Sequence, residues 1–193
     1  MLRSKILPAT MAAVFAIVTG GAALAASGEN ENGQEIAAVI GAKTSVAQAI
    51  AAAEQKTGGR AMRIDVEKDK EAYLYKVRTV SKEKVAEVFV DPVSGQIVRT
   101  DDEGLIAKVF DQEDQDEFAK LAGSSTTLVT AVATAEQHAG GKAIEASFDH
   151  EDATMTFEVE VARDNAVQKV MIDSATGHVL KVAAAEDGEH DED

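Results

Sequence analysis

An internal repeat covers most of this sequence and constrains the fold more than any other feature. Residues 53–61, AEQKTGGRA, return as residues 135–143, AEQHAGGKA, at an offset of 82 positions. The same offset holds without a gap from Thr44 to Gly95 of the first copy. Because chance similarity does not keep register over such a length, the chain contains two copies of one small unit.

Each copy begins with apolar residues at helical spacing, ends that helix at a Gly-Gly pair, and continues with alternating apolar and polar residues. Helical spacing followed by period-2 alternation is typical of a helix followed by half-buried strands. The sequence therefore predicts an α+β fold of two repeated units, each one helix packed on a small antiparallel sheet. A helical connector would join the units.

The repeat and the segments around it divide the chain into six parts. They are a signal peptide at 1–25, a flexible N-terminal segment at 26–43, a first unit at 44–100, an acidic helical connector at 101–125, a second unit at 126–183 and a disordered acidic tail at 184–193.

The N-terminus has the features of an export signal. Arg3 and Lys5 precede an apolar stretch at residues 11–18, and Ala23 and Ala25 provide the small residues of a cleavage site. We therefore expect a periplasmic or secreted protein with no stable membrane span once the signal is removed. The alternative is an N-terminal anchor, but Gly20 and Gly21 interrupt the apolar run.

Charge and cysteine content narrow the functions further. Without Arg3 and Lys5, the chain has 17 basic and 34 acidic residues, a net charge of −17. Nucleic acids and anionic membranes require a basic surface, so both are unexpected partners. The chain has no Cys, so disulfides and thiolate chemistry are excluded.

Each copy ends in a tight turn between two strands. Asp91 and Gly95 bound this turn in the first copy, and Asp173 and Gly177 bound it in the second. An Asp side chain can accept hydrogen bonds from the backbone of such a turn, and Gly adopts the positive φ that the turn requires. We therefore interpret these four residues as structural.

The two turn sequences, 90–97 (VDPVSGQI) and 172–179 (IDSATGHV), together with Tyr75-Lys76-Val77 and Phe157-Glu158-Val159 upstream, resemble the PepSY domain. The resemblance covers both units and leaves the connector and the tails outside. PepSY domains occur in propeptides of thermolysin-like metallopeptidases and in exported bacterial proteins, and the family is proposed to restrain peptidases. The resemblance thus implies a protein or peptide partner in the bacterial envelope, such as a peptidase inhibited in trans.

No catalytic or cofactor motif is present. The sequence has no His-Glu-x-x-His, no Gly-x-Ser-x-Gly and no phosphate or dinucleotide loop, so we predict neither enzymatic activity nor a cofactor. The acidic stretch Asp149, His150, Glu151 and Asp152, with His190 in the tail, contains the best metal candidates. Solvated charge explains them better, because none of the acidic stretches has the spacing of a calcium loop.

Four apolar residues lie on the strand face opposite the one that the helix should cover. They are Val85, Phe89, Val167 and Met171. Packing between the units or against the connector would bury them, whereas an exposed set would form a surface for a partner. The sequence favours an exported binding or regulatory module; the alternatives are an acidic cation-binding protein and a self-associating structural protein. It does not indicate an oligomeric state.

Overall fold

The structure, a computed structural model, describes residues 28–70, 72–106, 110–151, 154–164 and 166–185. These residues form four helices: α1 Gly28–Ile40, α2 Val46–Thr57, α3 Gln112–Gly123 and α4 Leu128–Ala139. The strands are β1 Arg60–Asp69, β2 Ala72–Val80, β3 Lys84–Val90, β4 Ile97–Leu105, β5 Lys142–Glu151, β6 Thr154–Arg163, β7 Ala166–Asp173 and β8 Val179–Ala184.

The helix of each unit forms at the predicted apolar stripe, between a capping residue and a glycine. The Ser45 hydroxyl accepts from the Gln48 N–H, and the Gln48 side chain accepts from the Ser45 N–H, which caps α2. Gly58 ends α2 at φ 70°. The next glycine, Gly59, is needed for close approach, because a Cβ there would lie 2.8 Å from the Val80 carbonyl oxygen.

All eight strands form one antiparallel sheet in the order β4-β3-β2-β1-β5-β6-β7-β8. The two copies meet at the centre, where Arg63 of β1 is paired with Ser147 of β5, and Ile64 with Ala146. An approximate twofold axis therefore passes between β1 and β5. The predicted α+β class and the two repeated units are confirmed, but the two predicted sheets are halves of a single sheet.

The core lies between one face of this sheet and the helices α2 and α4, which also contact each other. The predicted stripe of α2 is buried together with that of α4, and both lie over buried strand residues such as Ile64, Val77 and Val159. The second face carries no α2 or α4 and presents mostly charged side chains. Burial of one face against helices is the expected solution for an antiparallel sheet of this kind.

Helix α1 lies in the N-terminal segment that the sequence predicted to be flexible, and this corrects the prediction. The segment orders because Val39 is buried and Ile36 packs against the core. The Tyr73 hydroxyl also donates to the side chain of Gln34 over 3.1 Å. The repeat is thus longer than predicted, since Glu35 to Gly41 has the same pattern as Glu117 to Gly123 of α3.

The first unit also extends beyond its predicted end. β4 runs to Leu105, through the three acidic residues assigned to the connector. Two of these acids have cationic partners across the strand: Asp102 lies 2.8 Å from the Lys84 amine, and Glu103 lies 2.7 Å from the Arg78 guanidinium. Three consecutive charged residues do not show the apolar alternation by which a strand is recognised in a sequence. On an exposed edge strand, however, charged side chains are compatible with β structure.

Candidate functional site

The turn residues of both copies have the same geometry. Asp91 Oδ1 accepts from the N–H groups of Val93 and Ser94 at 2.9 and 2.6 Å and from the Ser94 hydroxyl at 3.0 Å. Asp173 Oδ1 binds the equivalent groups of Ala175 and Thr176. These hydrogen bonds favour the carboxylate form and lower the pKa of both Asp side chains. Both carboxylates are thus engaged within their own turns.

The four apolar residues considered for a partner surface are largely covered. Val85 and Phe89 are buried, Met171 is 9% exposed and Val167 is half-buried. The Arg99 guanidinium carbon lies 3.7 Å from the centroid of the Phe89 ring and covers it by a cation–π contact. These four positions therefore present no exposed apolar patch, as the packing alternative expects.

The metal candidates are only partly within the described residues. Asp149 is an exposed residue of β5. The side chains of His150 and Glu151, and all of Asp152 and His190, lie outside the described part. Within that part, no three His, Asp or Glu residues are grouped so as to hold a metal ion.

Carboxylates and cations alternate over the second face of the sheet. Arg63 pairs with Glu145 across the central β1–β5 contact at 2.6 Å and with Asp65 at 3.0 Å. The Lys76 amine lies 2.9 Å from Glu67, and Lys169 lies 2.8 Å from Glu158. This face is thus a network of largely paired charges.

The two outer strands of the sheet differ in how they are protected. β4 has two register irregularities against β3 and the three consecutive acids Asp101, Asp102 and Glu103. β8 is six residues long and has a single irregularity near its start. It has one charged residue, Lys181, and exposes Leu180 and Val182 by 52% and 39%. Charges and bulges discourage pairing at an edge, so β8 is the more accessible of the two.

The hydrogen-bond alternation of β8 identifies which backbone groups are available to a ligand. The Ala185 N–H donates to the Val167 carbonyl, so this end of the chain faces β7 at odd-numbered residues. In an antiparallel ladder the facing direction alternates along the strand. Val182, which lies opposite Val170, therefore points its N–H and C=O away from β7. The candidate site is this outward edge together with Leu180 and Val182.

Sequence reasoning missed this edge. The stretch 179–184 reads VLKVAA, with two apolar residues side by side where alternation was expected. The register irregularity beside Leu180 shows why: a bulge places consecutive residues out of the period-2 pattern. The equivalent residue of the first copy, Val98, is exposed in the same way, by 58%.

Comparisons with known proteins agree with the repeat. The family model described as "Peptidase propeptide and YPEB domain", PepSY, matches twice, at residues 43–101 and 127–183. A search of curated proteins found no match to this chain.

Two solved structures are similar to the chain at low identity. A candidate lipoprotein from Clostridium difficile 630 is 20% identical, with a TM-score of 0.46, over 75% of this chain and 95% of that one. The YpmB protein from Bacillus subtilis is 16% identical, with a TM-score of 0.32, over 72% of this chain and 96% of that one.

In the described residues, the helices are too short or too polar to cross a membrane.

Proposed function

Since this chain belongs to the PepSY family, we propose that it is an exported, non-enzymatic binding module that captures an extended protein segment as an added strand at β8. The observation that carries the proposal is the accessible outer edge of β8. Its outward backbone groups can pair with a peptide, and Leu180 and Val182 offer apolar contacts beside them. Strand addition of this kind uses backbone bonds for affinity and side-chain contacts for specificity.

The proposed partner is a peptidase of the bacterial envelope, restrained in trans. Two observations support this choice: the matching family model is described as a peptidase propeptide domain, and both units match it. The positive residues, apolar stretch and small residues of positions 1–25 support export. In this mode the chain binds the peptidase and supplies no reacting group.

Inhibition of a thermolysin-like metallopeptidase tests the proposal. The mature chain from residue 26 is titrated into the peptidase while cleavage of a short chromogenic peptide is followed. Val182→Pro is the test variant, because proline removes the outward N–H without removing a bond to β7. We expect the wild-type chain to inhibit and Val182→Pro to lose at least about tenfold in inhibition constant, as one to two edge contacts are lost.

Thr100→Pro is the matched control. Thr100 is the equivalent residue of β4, lies opposite Val88 as Val182 lies opposite Val170, and belongs to the protected edge. It should inhibit as the wild type does. Absence of inhibition by the wild-type chain would refute peptidase restraint, and equal losses in both variants would refute binding at β8. Light scattering that shows a dimer broken by Val182→Pro would instead assign the edge to self-association.

A further inference from the structure

Helices α1 and α3 occupy equivalent places about the twofold axis, and each is held by the opposite unit. Lys142, at the start of β5 in the second unit, donates from its amine to the Ile40 carbonyl of α1 over 2.7 Å. Arg60, its equivalent in the first unit, donates to the Ala122 carbonyl of α3 over 3.2 Å. A cation at the last carbonyls of a helix satisfies unpaired acceptors and complements the helix dipole.

Helix α3 is firmly held in its place. Arg60 makes two more hydrogen bonds, to the carbonyl oxygens of Ser124 and Thr126 at 2.9 and 2.7 Å. Phe118 and Leu121 are buried, and Asp111 caps the first turn through the N–H groups of residues 113 and 114. Large buried side chains and two satisfied ends make a stable docked helix.

Helix α1 has weaker versions of the same contacts. Ile36 replaces Phe118 and is only half-buried, and Val39 replaces Leu121. Lys142 makes one hydrogen bond where Arg60 makes three. Gly33 lies in the middle of α1, and glycine in a helix interior costs about 1 kcal/mol relative to alanine. The groove that holds α3 therefore contains bulkier side chains than those that α1 places in its own, equivalent groove.

A cavity of about 310 Å³ lies next to the end of α1. It is lined on one side by Val39 and the segment 42–46, and on the other by Tyr75, Glu136 and residues 141–143 of the second unit. The Tyr75 hydroxyl donates to the Thr44 carbonyl, and burial, with a smaller effect of Glu136, raises the pKa of Tyr75 to about 12. Lys43 and Lys142 outnumber Glu136 among the lining residues, so the cavity is net positive in a strongly acidic chain.

From these differences we propose that α1 is an exchangeable cover, and that the groove beneath it binds an amphipathic helix of a partner protein. The partner helix carries bulky apolar side chains three residues apart, as Phe118 and Leu121 are in α3. It carries acidic residues in its first turns and ends against Lys142. The α3 sequence is the template for this ligand, because it occupies the equivalent groove. This binding site is separate from β8 and does not depend on the proposed peptidase restraint.

The probe for this site is a fluorescein-labelled peptide of residues 110–124, added to the complete mature chain and followed by fluorescence anisotropy. Two substitutions in α1 move its docking in opposite directions and leave the groove unchanged. Gly33→Ala has open space for its Cβ and strengthens the helix, so it should weaken peptide binding by about fivefold. Val39→Ala removes the buried anchor of α1 and should tighten binding by about tenfold or more.

Ile40→Ala is the control within α1, because Ile40 is 48% exposed and its truncation should leave peptide affinity within about twofold. A peptide with Phe118→Asp should not bind any of the four proteins. Hydrogen exchange should show that amides 33–40 lose protection when the peptide is bound. Absence of binding to Val39→Ala, or equal affinity for the Gly33 and Val39 variants, would overturn the proposal. Dimerisation of Val39→Ala by exchange of α1 between copies would overturn the choice of a foreign helix.

Discussion

Individual carboxyl groups differ in the direction in which folding shifts their pKa. Burial raises the pKa of Glu87, and the neighbouring Glu103 raises it further, while Lys76 opposes both effects. Burial also raises the pKa of Glu145, although Arg63 lies 2.6 Å away. The turn residues Asp91 and Asp173 have lowered values. The two glutamates on the charged face of the sheet therefore favour the folded state when they are neutral. The two turn aspartates favour it when they are ionised.

Glu87→Gln tests this at the residue scale. A raised folded-state pKa means that the stabilising contribution of Glu87 is present below its unfolded pKa and is lost as pH rises through the folded value. At pH 7 the ionised Glu87 is thus unfavourable, and the glutamine variant should be more stable by up to about 1 kcal/mol after solvent screening. Urea unfolding should show this gain at pH 7 and its disappearance near pH 3.5. Glu83→Gln, at an exposed residue of the turn before β3, is the control that removes the same charge.

The sequence predicted single residues well where one local rule determines their place. The α2 stripe of Val46, Ala49, Ile50 and Ala53 is buried as a set, because helical spacing alone fixes a common face. The cover of Phe89 could not be predicted from its own strand, because Arg99, whose guanidinium group lies over the ring, belongs to another strand. Contacts between strands cannot be inferred from spacing within one of them.

At the scale of elements, the sequence did not indicate that α1 and α3 are each bound by a basic residue of the opposite unit. Gly33 and the polar residues around it obscure the apolar pattern of α1. Part of its docking comes from Lys142, which is 102 positions away from Ile40. Elements that depend on the opposite unit are therefore the ones that local patterns fail to predict.

Arg60→Met and Lys142→Met compare the two clamps directly. Arg60 bonds three carbonyl oxygens, two of them at partly buried sites, whereas Lys142 bonds one at an exposed site. A hydrogen bond to a charged donor contributes about 1.5–3 kcal/mol, and less where solvent screens it. We expect Arg60→Met to lower the free energy of unfolding by about 2–3 kcal/mol and Lys142→Met by about 1 kcal/mol or less. Urea unfolding with unchanged slopes would measure both. Equal costs would show that the α1 clamp is as strong as that of α3.

At the scale of the whole molecule, equivalent positions of the two copies carry opposite charges near the axis. Arg63 corresponds to Glu145, and these two residues meet there at 2.6 Å. Farther from the axis, Lys76 and Arg78 of β2 are replaced by acids at the matching positions of β6. Two identical units joined through this contact would place like charges together. The charge pattern therefore favours pairing of the first unit with the second.

A charge exchange at the axis tests that account. Arg63→Glu should cost about 1–2 kcal/mol of stability, because it replaces a partly exposed ion pair by two carboxylates and also faces Asp65. Glu145→Arg should cost a similar amount, since it places two guanidinium groups together. The double variant should be more stable than either single one by about 1 kcal/mol, with full recovery prevented by Asp65. Costs that simply add in a double-mutant cycle, measured by urea unfolding, would show that the pair does not select the partner unit.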